Sequence, residues 1–403
     1  MTNADRFPKS VYLRQYPIGI LSGGYTTLHI SAKTISHLSG SMTPCLSAWS
    51  GAIRAGIPAS LQNIIKIELL PSKGPNPQNQ IPQTFTSKVA QNMSKILAVF
   101  GATGQQGSSI INYVLQDPEL SQQYKIRAIT RDVDSEKAKQ LKEKVEVVYG
   151  DMLNRASLET ALTGVHTVFA MTTPTFDLDG GFEAEYNSGK TIADVTVEKG
   201  AEYIIFSTLP SAKEISGGKY SNVIQFETKA KVEQYIRGLH IKSAFYSPGV
   251  FMQNFHTTPI YTPQKASDGT WIIAFHNSPK APLRLIDAVE DTGKFVGAIL
   301  AEPDRYEGKT FCAASASYNF EQAVAILSKA TGKTVIYKQI PVEDFKKSLP
   351  FGHDIIAETF SYLEEFDYWG PDTEELLAWA AENARGRLTT FEEYLEAHPL
   401  QLE

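Results

Sequence analysis

The stretch Lys95–Gln116, KILAVFGATGQQGSSIINYVLQ, decides the fold. It opens on a short, continuous apolar run, the pattern of a strand covered on both faces. Gly101, Gly104 and Gly107 follow as G-x-x-G-x-x-G and lead into a segment of helical periodicity. In such a unit the first glycine permits a tight turn, the second lets backbone approach a pyrophosphate, and the third lets helix and strand pack closely. The helix N-terminus adds free N–H groups for an anion. The strand–turn–helix context predicts a dinucleotide-binding crossover.

Outward from this unit, strand-like and helix-like segments alternate. KIRAIT, VEVVYG, HTVFAMTT, YIIFST and SAFYSPG read as strands; SEKAKQLKEK, RASLETALTG, FEAEYNSGKTIADVTVEKG and ETKAKVEQYIRGL read as the helices between them. Repeated right-handed crossovers predict an α/β fold, a doubly wound parallel Rossmann sheet over residues 93–250. From residue 251 to 403 the pattern loosens. TFCAAS, the helix NFEQAVAILSKATG and TVIYKQ predict a smaller α+β substrate or partner region, with some chain crossing back to the sheet.

Charge divides the chain unevenly. Residues 1–92 hold eight Lys/Arg and two Asp/Glu, net +6, while the remainder holds 30 and 42, net -12. An acidic body argues against direct nucleic-acid binding, which needs clustered cations. No apolar run reaches the roughly 20 residues that span a bilayer. Cys45 and Cys312 have neither ligand-like nor disulfide-like spacing, so no metal site is expected and a reducing, cytoplasmic setting, or a nuclear one as well, fits. Residues 1–92 read as an unstructured or non-native extension. Their Pro/Gln/Asn-rich end resembles a linker, and their few acids and many hydroxyls match a transit peptide. The rival reading makes Met93 the natural start, and mapping of the native N-terminus by mass spectrometry is expected to find it there.

Candidate ligands cluster at predicted strand ends. The second strand ends in Arg131, where a carboxylate would favour NAD and a cation suits the 2′-phosphate of NADP; the rival reading makes Asp132 the ribose ligand. Asp151 ends the third strand, either accepting a bond from an adenine amino group or capping the following helix, with Asn154 its rival for the cap. Met171–Pro174, MTTP, ends the fourth strand, next to the expected nicotinamide-side ribose.

A short-chain dehydrogenase would add a Tyr-x-x-x-Lys pair, the lysine lowering the phenol pKa. Tyr186/Lys190 precedes the strand it should follow, and Tyr261/Lys265 contains a proline and lies beyond the sheet; Tyr220 has Ile224 at its fourth neighbour. All three read as structural. Lys229 does stand in the appropriate helix, on one stripe with Val232 and Ile236. It either pairs with Glu233 at the surface or faces a cavity, there to bond the nicotinamide ribose or act as acid/base.

VFGATGQQG, TRD, YGDM, IIFST before FETKAKVEQYI, YSPGVFMQNF, PQKASDGTW, VEDTGKFVGAIL and TTFEEYLEAH together resemble the NmrA-like family over about residues 94–403. These are atypical short-chain dehydrogenase/reductase proteins that include fungal nitrogen-repression regulators and a vertebrate NADPH sensor. The resemblance implies NADP binding at Gly101, Ala102, Thr103, Gly104, Gln105 and Gln106, beside Gly107. It extends to Arg131, Asp132, Val133, Asp134 and Ser135, to Asp151 and Met152, and to Thr172, Thr173 and Pro174. Lys229 and Phe251, Met252, Gln253 and Asn254 complete it. Gln253 stands where many relatives carry an acid.

Two functions share these residues. One is an NADP-dependent oxidoreductase acting on a small organic substrate, as in fungal specialised metabolism, with Lys229 catalytic and Tyr246 and His256 as substrate-side or packing groups. The other is a non-catalytic NADP(H) sensor or transcriptional regulator acting through a protein partner. A monomer or a homodimer is compatible with either.

Overall fold

The order in which strands pair places the ligand crevice. The computed structural model describes residues 94–174 and 181–403; the expectations placed on residues 1–92 lie outside the described residues. Six strands come first: β1 (Lys95–Val99), β2 (Tyr124–Thr130), β3 (Glu146–Tyr149), β4 (Thr167–Ala170), β5 (Tyr203–Ser207) and β6 (Lys242–Pro248). Then follow β7 (Val250–Phe251), β8 (Gln264–Lys265), β9 (Trp271–Phe275), β10 (Pro282–Ile286), β11 (Thr310–Ala313), β12 (Ala316–Asn319) and β13 (Val335–Gln339). The main sheet runs β11-β6-β5-β4-β1-β2-β3, every neighbouring pair parallel. Strand order reverses between β1 and β4, and in open α/β sheets ligands bind outside the carboxyl ends of the strands at that point.

Crossover helices cover both faces: α1 (Gln105–Gln116), α2 (Glu136–Lys142), α3 (Arg155–Ala161), α4 (Gly181–Glu198), α5 (Ile224–Arg237) and later α6 (Thr292–Ala301). Because β side chains alternate, Leu97 and Val99 enter one core with Ile110 and Ile111 of α1 and Phe295 of α6. Ala98 and Phe100 enter the other, with Leu158, Ile192 and Val232 of α3, α4 and α5. That two-sided burial is why the strands read as unbroken apolar runs.

TFCAAS departs from its expected place. Read as part of the smaller region, it supplies β11, the seventh strand of the main sheet, with Phe311 registered opposite Tyr246. The smaller region builds two three-stranded sheets, β12-β10-β7 and β13-β9-β8, around an aromatic core in which the rings of Phe275 and Phe360 lie 4.8 Å apart. Among the described residues no helix is long and apolar enough to cross a membrane.

Helix α6 packs closely on α1 at Gly293 and Gly297, where the Tyr113 side chain fills the space a Cβ would need. A Cβ on Gly293 would lie 2.4 Å from Tyr113 Cβ and 2.7 Å from the Ser109 carbonyl oxygen. Ser109 Oγ accepts the Gly293 N–H at 2.9 Å. Gly293→Ala is therefore expected to force the helices apart and to lower stability by about 1–3 kcal/mol, the usual cost of overpacking. Urea denaturation checks this, and an unchanged midpoint would contradict it.

Candidate functional site

The glycine turn is set by backbone contacts. Gly101 has φ +63°, and a Cβ there would lie 2.6 Å from Met171 Sδ, on the loop after β4. The Gly104 N–H donates to the Gly101 carbonyl at 2.8 Å, closing the turn. At Gly107 a Cβ would stand 2.3 Å from that same oxygen and 2.8 Å from Ala102 Cα. No rotamer relieves a clash with backbone, so the third glycine is required for α1 to start here. Gly104 caps α1 without any side-chain bond to the first turn. Gln106 is buried in that turn, and its Oε1 has no hydrogen-bond partner among the described residues.

At the end of β2, Arg131 is exposed and makes no ion pair among the described residues. Its rival is already engaged: Asp132 Oδ1 accepts the N–H groups of Asp134 and Ser135, both at 3.0 Å. Ser135 in turn caps α2, its hydroxyl accepting the Ala138 N–H. At the end of β3, Asn154 rather than Asp151 caps α3, by accepting the Ser157 N–H at 3.2 Å. The capping reading of Asp151 is thereby corrected; its carboxylate accepts the Leu153 N–H, at 3.0 Å. Met152 packs on the sheet core beside it.

Lys229 departs from both of its expected settings. Glu233 pairs with Arg237 at 2.7 Å, not with Lys229. Nor does Lys229 face open space. Its ammonium donates to the Thr172 carbonyl at 2.9 Å, to Thr172 Oγ1 at 2.8 Å and to Glu185 Oε1 at 2.9 Å. The Thr172 hydroxyl donates to the same Glu185 oxygen at 2.6 Å. All three N–H bonds of the ammonium are thus held by protein acceptors. Burial pulls the Lys229 pKa below the ordinary amine value, and the Glu185 charge and hydrogen bond oppose that fall. Bonding a ribose or passing a proton would require one of these contacts to open. Thr173 and Pro174, exposed, continue the loop from Thr172.

The FMQN segment is divided between cores. Phe251 packs against the sheet, whereas Met252 is fully buried in the smaller region's core, leaving only its backbone for a ligand. The Gln253 amide spans Asp287 Oδ1, at 2.7 Å, and the Ala288 N–H. Asn254 starts a short helical turn and accepts from Thr258.

The other candidates are packing groups. Tyr246 is buried with its hydroxyl on Thr292, and burial drives its pKa up. His256 bridges Tyr394 and the His398 carbonyl, its pKa lowered chiefly by burial. Lys190 pairs with Asp194, leaving Tyr186 to stack on Phe182. Tyr220 donates to Glu365, and Lys265 stands over Trp271 rather than near Tyr261. Burial pushes the Cys312 thiol up to about 12.

Glu185 is the site residue that sequence reasoning missed. A signal existed: Gly181, Glu185, Ser188, Gly189, Ile192 and Thr196 share the buried face of α4, so a carboxylate stands on a stripe of small and apolar residues. A charge there requires a partner.

A model of the NmrA-like family matches residues 93–395. An NmrA-like family domain-containing protein of Dictyostelium discoideum is 30% identical over 313 residues, 75% of this chain and 98% of that protein. The NmrA-like family domain-containing oxidoreductase FrzB of Cladobotryum sp is 31% identical over 264 residues, 62% of this chain and 77% of that relative. The negative transcriptional regulator NmrA, solved in complex with NADP, matches with a TM-score of 0.62 at 24% identity, over 76% of this chain and 98% of that one. NmrA has also been solved in complex with NAD.

The buried contact makes a stability prediction. Lys229→Met strands the Glu185 carboxylate and is expected to cost about 3–5 kcal/mol, whereas Lys229→Met with Glu185→Leu recovers most of that loss. Chemical denaturation of these two variants and of Glu185→Leu alone decides it, and strictly additive losses would count against the pairing.

Proposed function

The chain belongs to the NmrA-like family, and on that premise we propose that it is an NADP(H)-binding oxidoreductase acting on a small organic substrate. The observation that carries this reading is the glycine turn at the switch point. Gly107 leaves no room for a side chain above the Gly101 carbonyl, and α1 opens on N–H groups that no side chain caps. Backbone so arranged suits a pyrophosphate. The buried Gln106 acceptor without a partner supports the presence of a donor-bearing ligand at the same turn. Arg131, free at the end of β2, suits a 2′-phosphate, while Asp132 is taken up by its own loop.

Bound there, the reduced nicotinamide would supply the hydride. The protein's part is to bind and orient. The turn Gly101–Gly107 would hold the pyrophosphate, Arg131 the 2′-phosphate, and Asp151 with Met152 the adenine side. Thr172, Thr173 and Pro174 would wall the nicotinamide side, Phe251–Asn254 would border it, and Lys229 would fix a positive charge behind that wall. The family relative named as an oxidoreductase supports turnover.

A second reading, a redox sensor or regulator working through a protein partner, is favoured by one observation: among the described residues the Lys229 ammonium has every donor engaged by protein acceptors. The regulator NmrA supports it.

Fluorescence titration of the full chain is expected to give NADPH binding at least about tenfold tighter than NADH, an advantage that Arg131→Ala removes while leaving NADH unaffected. NADH binding as tightly as NADPH would overturn the cofactor assignment. Incubation with NADPH and a panel of quinones, imines and enones, followed by loss of the reduced-nicotinamide absorbance, then separates the two readings. Tight binding without turnover on any of them favours the sensor.

A further inference from the structure

We infer that Glu185 is a positioning residue of the nicotinamide-side wall, acting through Lys229 and Thr172 rather than by touching a ligand itself. This rests on the cofactor reading above. The Glu185 side chain is 1% exposed and that of Lys229 10%, so both groups have given up most of their hydration. Desolvating two charges is costly enough that apolar residues of similar volume often serve stability as well or better. A role in geometry accounts for the pair more directly.

The geometry is specific. One carboxylate oxygen, Glu185 Oε1, accepts from both Lys229 Nζ and Thr172 Oγ1, and Lys229 also holds the Thr172 carbonyl. Backbone and side chain of Thr172 are therefore fixed by a single charged node. The helices bearing that node are held close by Gly189, where a Cβ would lie 2.7 Å from both Val232 methyls and 3.3 Å from Thr172 Cγ2. Thr172 follows Met171, whose sulfur lies against Gly101. Contact thus runs unbroken from Glu185 through Lys229 and Thr172 to the phosphate turn.

Charge supplies the readout. Glu185 is the titratable group that reaches Lys229 from α4, and among the described residues of the loop after β4 the contact comes from the uncharged Thr172. Nearby charges are otherwise engaged: Lys190 with Asp194 on α4, Tyr235 with Asp194, Glu233 with Arg237 on α5, and Lys231 over the Phe182 ring. A buried amine sheds its proton as pH rises through its lowered pKa, and Glu185 delays that loss. Once the proton goes, the charge that draws Lys229 to Glu185 is lost and the node holds Thr172 less firmly.

The test is the pH profile of NADPH affinity, measured by fluorescence titration on the full chain. Wild type is expected to bind, with affinity falling at high pH. Glu185→Gln is expected to move the midpoint of that fall down by at least about one pH unit, and Glu185→Asp, one methylene short, to lie between. Lys229→Met binds more weakly and loses this titration, alone or combined with Glu185→Gln. Should Glu185→Gln not fold, Glu185→Asp carries the test. A midpoint unmoved in the acid variants, or a titration that persists without Lys229, overturns the inference; a merely structural Glu185 would weaken binding equally at every pH. Wild type that does not bind NADPH overturns the cofactor reading itself, and this inference with it.

Discussion

The site depends on one crowded carbonyl. Gly101 turns the chain with a positive φ, its oxygen takes the Gly104 N–H, and the same oxygen leaves no space for a side chain at Gly107. Helix α1 can begin where it does only because that crowding is tolerated. From there the other parts follow: α1 lies back on β1, Met171 packs over Gly101, and the loop that ends β4 is brought beside the turn. Phosphate-binding competence in this fold is less a matter of particular side chains than of backbone approaching backbone more closely than any Cβ allows.

Lys229 belongs to a different economy. Its cost is desolvation, and it persists because Glu185 and Thr172 satisfy every donor it has. An ammonium so completely coordinated is poised to supply field and position more than protons. The missing Tyr-x-x-x-Lys pair and the closed lysine point the same way: the donors of Lys229 are committed to protein acceptors, so a proton could pass from it only if one of those contacts opened.

Most of the sheet was legible in the sequence because its first six strands are short, mostly apolar segments bounded by turn residues, and because a helix separates each of them from the next. TFCAAS was harder. Its partner in the sheet, β6, lies far back in the chain, and nothing local distinguishes a strand that joins that sheet from one in the smaller region. The phosphate turn and the strand-end Arg131 could be read from local pattern alone. Lys229 could be singled out but not placed, since its partner Glu185 lies 44 residues upstream on another helix. Helical periodicity marks which residues are buried; it does not say what a buried charge will meet. The partners of Gln253 and His256 were out of reach for the same reason, as both lie on segments distant in sequence.

The seventh strand has a mechanical consequence. The chain leaves the main sheet after Pro248, builds β7 to β10 and α6, returns as β11 alongside β6, and departs again into the remaining C-terminal helices. The smaller region is therefore stitched to the sheet at three covalent crossings, all on the adjacent strands β6 and β11, while α6 is keyed into α1 through Gly293. A body joined by several crossings has fewer ways to move against its neighbour than one joined by a single linker. Adjustment to a ligand at the crevice would then fall first to the loops at the strand ends, and the one carrying Thr172 is itself tied down by Lys229 and Glu185.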